Sequence, residues 1–166
     1  MGKSTRIRVV ENPQLHEAIQ PLAFLLGTWR GEGKGEYPNV NDFGYREEST
    51  FWHVGKPWLG YMQRTWSSDG DMPMHTEAGY WRPQINGRIE IVLAHALGVA
   101  EIQEGTFHGT HIEVVSTSLG VTSTAKDVRR LARTFDVTDD VLTYEVKMAY
   151  EDVPLQHHLG AELRRI

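Results

Sequence analysis

Gly27-Thr-Trp-Arg-Gly-Glu-Gly-Lys-Gly-Glu-Tyr37 is the stretch that decides the fold. It holds four glycines among larger residues, at positions 27, 31, 33 and 35. Glycine inside a strand weakens a flat sheet but allows the sharp bend that closes a barrel. Trp29 adds one large apolar side chain, which we expect to fill one end of the barrel. The segment is therefore predicted to be the first strand of a closed β-barrel rather than part of a sandwich.

The residues that follow keep a period of two, which is typical of strands with one buried face. Turn residues separate the alternating runs, and Asn86-Gly87 is the strongest hairpin signal among them. The chain is predicted to be all-β, with about ten antiparallel strands in a lipocalin-like barrel. The predicted strands cover residues 27–37, 44–54, 58–67, 73–82, 87–95, 98–107, 110–117, 129–137, 141–149 and 157–166.

One short helix is predicted before the first strand. Asn12-Pro13 offers a cap followed by proline at the first helical position. Apolar residues then recur at helical spacing until Gly27 ends the pattern. They are Leu15, Ile19, Leu22, Leu25 and Leu26. We therefore expect a flexible tail over residues 1–11 and a single domain over residues 12–166.

Composition excludes several classes of function. The chain has no cysteine, so disulfides, thiolate metal sites and cysteine nucleophiles are excluded. Its formal net charge of −5 argues against nucleic acid as a partner, and Arg129, Arg130 and Arg133 are expected to be solvated. No apolar run approaches the length that crosses a membrane. We expect a cytoplasmic protein that binds neither nucleic acid nor membrane.

Among the eight histidines, His75 and the pair His157-His158 are the candidates for a site. Neighbouring strand residues point to opposite faces, so a regular strand turns only one member of the pair inward. A single imidazole is enough to bind the iron of a porphyrin. Alternation with Leu159 favours His157 as the inward residue, but Pro154 leaves open where the regular strand begins.

The sequence gives little support for catalysis by paired carboxylates or by a serine nucleophile. Glu47, Glu48, Glu101 and Glu113 are expected to face solvent, as acidic strand residues usually do. The sequence lacks the Gly-x-Ser-x-Gly elbow of serine hydrolases. A glycosidase or hydrolase is therefore not expected.

Several segments, in order, resemble the nitrobindin family of small heme proteins, whose ten-stranded barrel is similar in shape to fatty-acid-binding proteins. The similarity runs from Leu22 to Ile166. The first segment matches the family signature Gly-x-Trp-x-Gly-x-Gly, and the last matches Pro-Leu-Gln-x-His. The segments are Gly27-Thr-Trp-Arg-Gly-Glu-Gly33 with Glu36-Tyr37-Pro38, His53-Val-Gly-Lys-Pro57, Met74-His-Thr-Glu-Ala-Gly79, Ala125-Lys126 and Pro154-Leu-Gln-His-His-Leu159.

The resemblance implies that His158 is the iron ligand, because it stands at the final histidine of the last segment, and that His157 occupies a variable position. It further implies heme contacts from Asn39, where the family often has threonine, from His75, and from Lys126, which would pair with a propionate. The implied cofactor is ferric heme b. The implied activities are reversible nitric oxide binding and isomerisation of peroxynitrite to nitrate.

Two alternatives remain open from the residues alone. A barrel of this size also suits a carrier of fatty acids or other small apolar ligands. Such a carrier is expected to hold the carboxylate with an inward pair of arginines on late strands, for which Arg129, Arg130 and Arg133 could be mistaken. A barrel without a cofactor, serving as an interaction module, is the third possibility. Either a monomer or a homodimer is compatible with the sequence.

Overall fold

The structure is a computed structural model that describes residues 13–38 and 40–166. Ten antiparallel strands form one closed barrel, in which each strand pairs with its neighbours along the chain and β1 closes the ring against β10. This confirms the predicted all-β barrel. The strands are β1 (Gly27–Tyr37), β2 (Val40–Trp52), β3 (Leu59–Ser67), β4 (Pro73–Pro83), β5 (Arg88–His95), β6 (Val99–His108), β7 (His111–Val121), β8 (Val128–Thr138), β9 (Val141–Tyr150) and β10 (Val153–Arg165).

The glycines of β1 make room for aromatic rings inside the barrel. A Cβ atom on Gly33 would lie 2.2 Å from the ring of Tyr45, and one on Gly35 would lie 2.1 Å from the ring of Phe43. Both rings come from β2, the strand paired with β1. Aromatic side chains that cover glycines in this way permit strong curvature without leaving a void. The glycine pattern therefore shapes the barrel wall as the sequence predicts.

The predicted N-terminal helix is present as a 3₁₀ helix over Glu17–Leu25. It starts later than expected, because the Nδ1 atom of His16 accepts the amide of Ala18 and caps the helix; Asn12 lies outside the described residues. Its buried residues are Ile19, Leu22 and Leu25. Their spacing of three matches the three residues per turn of a 3₁₀ helix.

Trp29 closes the end of the barrel that lies beneath this helix. The indole is completely buried, and its Nε1 donates a hydrogen bond to the carbonyl of Leu25 at 2.8 Å. The guanidinium of Arg165 lies over the indole ring, 4.1 Å from its centroid, and donates to the carbonyl of Phe24 at 2.8 Å. The predicted plug is thus tied to both the helix and the last strand.

The middle of the barrel is packed with aromatic rings. The centroid of Trp81 lies 5.1 Å from that of Phe51 and 4.9 Å from that of Phe135, both with edge-on geometry. Phe135 in turn lies 5.8 Å from Tyr144. Such edge-to-face pairs add to the stability that their burial provides. This packed core leaves the opposite end of the barrel as the place for a site.

The ladder between β7 and β8 is the shortest of the ten. Only five residue pairs join these strands, from His111 to Val115 on β7. Beyond that point, the Oγ of Ser116 accepts the amide of Leu131 at 2.9 Å. The side chain of Ser116 thus replaces the next backbone hydrogen bond between the strands. Residues 122–127 connect the end of β7 to the start of β8.

Within residues 13–38 and 40–166, no helix has the length and apolar character that a membrane-spanning helix requires.

Candidate functional site

A β-bulge in β10 determines the direction of the two adjacent histidines. His157 pairs with Lys147 and Leu159 pairs with Val146, so His158 is an extra residue opposite two consecutive partners. A bulge of this kind breaks strict alternation and re-aims a side chain, and bulges are common beside active sites. The alternation argument that turned His157 inward is therefore wrong.

The two histidines have different surroundings as a result. The side chain of His157 is 45% exposed and hydrogen-bonds the carboxylate of Glu145 at 2.9 Å. The imidazole of His158 is half-buried and meets the ring of Tyr37 edge-on, with 5.1 Å between the ring centroids. Of the pair, only His158 is placed to serve an enclosed ligand.

The imidazole of His158 is held in its neutral form. Burial lowers its pKa from 6.5 to about 4, and the nearby charges of His157, Lys126 and His75 act in the same direction. The backbone of Glu36 opposes this shift, yet the buried Nδ1 atom has no hydrogen-bond partner among the described residues. A neutral imidazole keeps the lone pair that metal binding requires.

Two tyrosines and a lysine stand beside His158. The hydroxyl of Tyr37 donates to the carbonyl of Met148 at 3.2 Å, and its ring lies 6.4 Å from that of Tyr150. Burial raises the pKa of the Tyr37 hydroxyl, so this group stays protonated. The ammonium of Lys126 lies over the ring of Tyr150, at 6.0 Å from its centroid. The result is an aromatic wall with one exposed cation at its rim.

Three of the four residues predicted for the site lie in one region. Lys126 and His75 are both close enough to His158 to affect its pKa. Asn39 lies outside the described residues, so its predicted contact stays a prediction. Tyr37 was not predicted, although it stands in the segment Glu36-Tyr37-Pro38 that carries the resemblance.

His75 connects this region to a buried polar network. Its Nε2 atom lies 3.2 Å from Nδ1 of His95, whose Nε2 contacts the carboxylate of Glu101 at 2.8 Å. Arg133 donates to Glu77 at 2.6 and 3.1 Å and to Glu101 at 2.6 Å. The expectation that Glu101 and Arg133 face solvent is therefore wrong, because they neutralise each other inside the barrel.

The pKa values of the buried carboxyl groups are shifted in different directions. Burial alone would raise the pKa values of Glu77 and Glu101, but Arg133 outweighs this effect and holds both below their usual range. Glu47 has no such cation. Burial raises its pKa, although hydrogen bonds from Tyr144 and Ser49 oppose the shift. Glu47 was also expected to face solvent, and it is buried instead.

The donor set at His158 fits a heme. A single neutral imidazole supplies the one protein ligand that heme iron needs. Tyr37 and Tyr150 provide flat apolar surface for a macrocycle, and Lys126 provides a cation for its carboxylate groups. The buried Nδ1 atom of His158 has no hydrogen-bond partner among the described residues, so no contact of that nitrogen competes with the role of this imidazole as a ligand.

Comparisons with known proteins agree with this arrangement. A family model described as the THAP4-like, heme-binding beta-barrel domain matches residues 18–165. Peroxynitrite isomerase 2 of Mycobacterium marinum is 47% identical over 155 residues, which cover 91% of this chain and 96% of that protein. Peroxynitrite isomerase Rv2717c of Arabidopsis thaliana is 41% identical over 156 residues, which cover 94% and 93%.

A solved structure shares the whole architecture. The crystal structure of Rv2717c from M. tuberculosis superposes with a TM-score of 0.87 and 42% sequence identity. The match covers 92% of this chain and 99% of that one. The resemblance to nitrobindins is thereby confirmed, and the chain belongs to the THAP4-like heme-binding β-barrel family.

Proposed function

We propose that this protein binds ferric heme b through His158, binds nitric oxide reversibly and isomerises peroxynitrite to nitrate. The observation that carries the proposal is the bulge, which presents a neutral, half-buried imidazole with an unpartnered nitrogen. The name peroxynitrite isomerase, which relatives at 41–47% identity carry, agrees with the predicted activity.

Each residue of the site has a role in this proposal. His158 holds the iron, Tyr37 keeps the imidazole in orientation by its edge-on contact, and Lys126 pairs with a propionate. His75 borders the pocket, and we retain Asn39 as a further contact. The heme, when bound, supplies the redox-active iron at which the bonds of peroxynitrite are rearranged.

The chain itself contributes binding, orientation and exclusion of water. Peroxynitrite and nitrate have the same atoms and the same charge, so the isomerisation requires no net proton transfer. The described residues agree with this, because Glu77 and Glu101 are committed to Arg133 rather than free to act as acids or bases. The aromatic core beneath the site limits access of water from the barrel interior.

Hemin titration of His158→Ala and His157→Ala tests the proposal. Wild type and His157→Ala are expected to give a Soret band that saturates at one heme per chain, whereas His158→Ala gives no specific band. The loaded proteins should speed peroxynitrite decay with nitrate as the product, and His158→Ala should not. A saturable, unchanged Soret band in His158→Ala would contradict the assignment, and loaded wild type without effect on peroxynitrite decay would contradict the activity.

The depressed pKa of His158 predicts an unusual pH profile for hemin binding. Iron and proton compete for the imidazole, and the folded pKa is about 4 instead of 6.5. Hemin affinity should therefore stay constant from pH 7 to about 5 and fall only as the pH approaches 4. Titrations at fixed pH values, with circular dichroism to verify folding, measure this; a midpoint near 6.5 would contradict it.

The fatty-acid carrier receives less support from the geometry. Of its three candidate arginines, Arg129 and Arg130 are exposed, and Arg133 is already bound by two internal carboxylates. The interior is filled by a cluster of buried aliphatic and aromatic side chains. A ligand carboxylate would have to displace Glu77 or Glu101, which the low dielectric of the interior makes costly.

The proposal extends to the organisation of the chain. We retain a single domain over residues 12–166 with a tail over residues 1–11, acting in the cytoplasm as a monomer or homodimer on small-molecule partners. Size-exclusion chromatography with light scattering distinguishes the two oligomeric states.

A further inference from the structure

Three ligand atoms of different side chains converge at one point on the barrel wall. Nδ1 of His95 lies 3.2 Å from Nε2 of His75 and 3.2 Å from Oε2 of Glu77, and the last two atoms are 3.5 Å apart. A tetrahedral ion with bonds of about 2.0–2.1 Å to nitrogen and oxygen has ligands separated by about 3.3–3.4 Å. The three atoms therefore already form one face of such a tetrahedron.

Glu101 determines which nitrogen of His95 is free. The carboxylate of Glu101 can only accept a hydrogen bond, and it lies 2.8 Å from Nε2 of His95. A neutral His95 therefore carries its proton on Nε2. The lone pair of Nδ1 then faces Glu77 and His75. A carboxylate that fixes the tautomer of a histidine from behind is the usual outer partner of a metal-bound imidazole.

The charges of the network favour a cation at the same point. Glu77 and Glu101 bring two buried negative charges, and Arg133 is the one guanidinium that pairs with both. Arg133 binds Oε1 of Glu77 at 2.6 Å and Oε2 at 3.1 Å, so Oε2 is the more weakly held oxygen, and it is the one that also faces the histidines. The two carboxylates thus share a single guanidinium, in a region where buried charges need partners.

We propose that His75, His95 and Glu77 bind a divalent cation of Zn²⁺ type, with water as the fourth ligand. Two imidazoles and one carboxylate are a known set for zinc with an open position. The side chain of His75 is 32% exposed, whereas those of His95 and Glu77 are 8% and 2% exposed. His75 is thus the ligand through which an ion reaches the other two. These three ligands do not include His158, the residue that would hold the iron.

Titration with Co²⁺, a coloured substitute for Zn²⁺, tests the site in heme-free protein stripped with a chelator. The His158→Ala protein is the background, so that the candidate heme ligand cannot bind the ion. We expect one Co²⁺ per chain with the strong visible bands of four-coordination, and displacement of Co²⁺ by Zn²⁺. In that background, His75→Ala and His95→Gln should each weaken Co²⁺ binding by at least about 100-fold, because each removes a direct ligand and loss of an outer partner alone can cost that much.

His111→Ala is the matched control. His111 also contacts two carboxylates, Glu113 at 3.2 Å and Asp136 at 2.7 Å, but it lies on the surface. This variant should bind Co²⁺ as its parent does. Three results would overturn the proposal. They are no Co²⁺ binding in the His158→Ala background, unchanged Co²⁺ binding after His75→Ala, or a spectrum with only the weak bands of six-coordinate Co²⁺. Thermal melting verifies that His95→Gln folds, and His75→Ala decides the question if it does not.

Discussion

Arg133→Met is expected to lower the free energy of unfolding by about 3–5 kcal/mol, because it leaves buried charges without their partner. The guanidinium is 6% exposed and makes close ion pairs with Glu77 and Glu101, which are 2% and 0% exposed. Methionine fills similar space but cannot compensate either carboxylate. Urea denaturation at pH 7 measures the loss.

Arg130→Met is the control for this prediction, since Arg130 is exposed on the same strand. It should change stability by no more than about 0.5 kcal/mol. The difference between Arg133→Met and wild type should narrow as the pH falls from 7 to 4. In the variant, burial raises the pKa of Glu77, so protonation of this group over that range relieves the penalty. In wild type, the stability from the depressed pKa of Glu77 is complete above the ordinary value of 4.5 and is lost only as the pH falls below it. Equal effects of the two variants would contradict the ion-pair assignment.

Trp29→Ala is expected to cost about 3–5 kcal/mol, as truncation of a fully buried tryptophan usually does. The change opens a cavity under the 3₁₀ helix, removes the hydrogen bond to Leu25 and leaves Arg165 without its aromatic partner. Chemical denaturation and the melting temperature both measure this effect.

Trp52→Ala serves as the comparison, because Trp52 is 41% exposed on the outer face of β2. Its removal should cost about 1 kcal/mol or less. If the two tryptophan variants were equally stable, the end of the barrel would not depend on the plug, and the role assigned to Trp29 would be wrong.

The alternation of apolar residues was sufficient to predict most of the barrel. β1 has the predicted bounds of 27–37, and the other strands agree except at their ends. β2 starts at Val40 instead of 44, and β10 starts at Val153 instead of 157. Strand ends depend on hydrogen bonds with a neighbour, which a single segment of sequence does not reveal.

The choice between His157 and His158 could not be made from alternation. The deciding feature is a bulge, which depends on the register between β10 and β9. Resemblance to the family favours His158, since it stands at the final histidine of the segment that matches Pro-Leu-Gln-x-His. Local periodicity fails at the second of the two register shifts between β10 and β9.

The inward positions of the buried ionic network are indicated by the sequence pattern, although charged residues in strands usually face solvent. Arg133 lies two residues from both Leu131 and Phe135, which are buried, so the same parity places it inside. Glu101 likewise shares the parity of Val99. The prediction that both residues face solvent follows from the usual exposure of charged residues and disregards this alternation. Opposite charges at inward positions of different strands are the signal that identifies such a network.

The short ladder between β7 and β8 gives the ring a seam beside the candidate site. A closed barrel has no free edge, but past Val115 the two strands separate, so each has only one backbone partner. The connection across this seam includes Lys126, which contacts Tyr150. Amide hydrogens along the seam should exchange with solvent before those of any complete ladder. We therefore expect local opening of the barrel wall to begin between these two strand ends, while the other nine ladders stay paired.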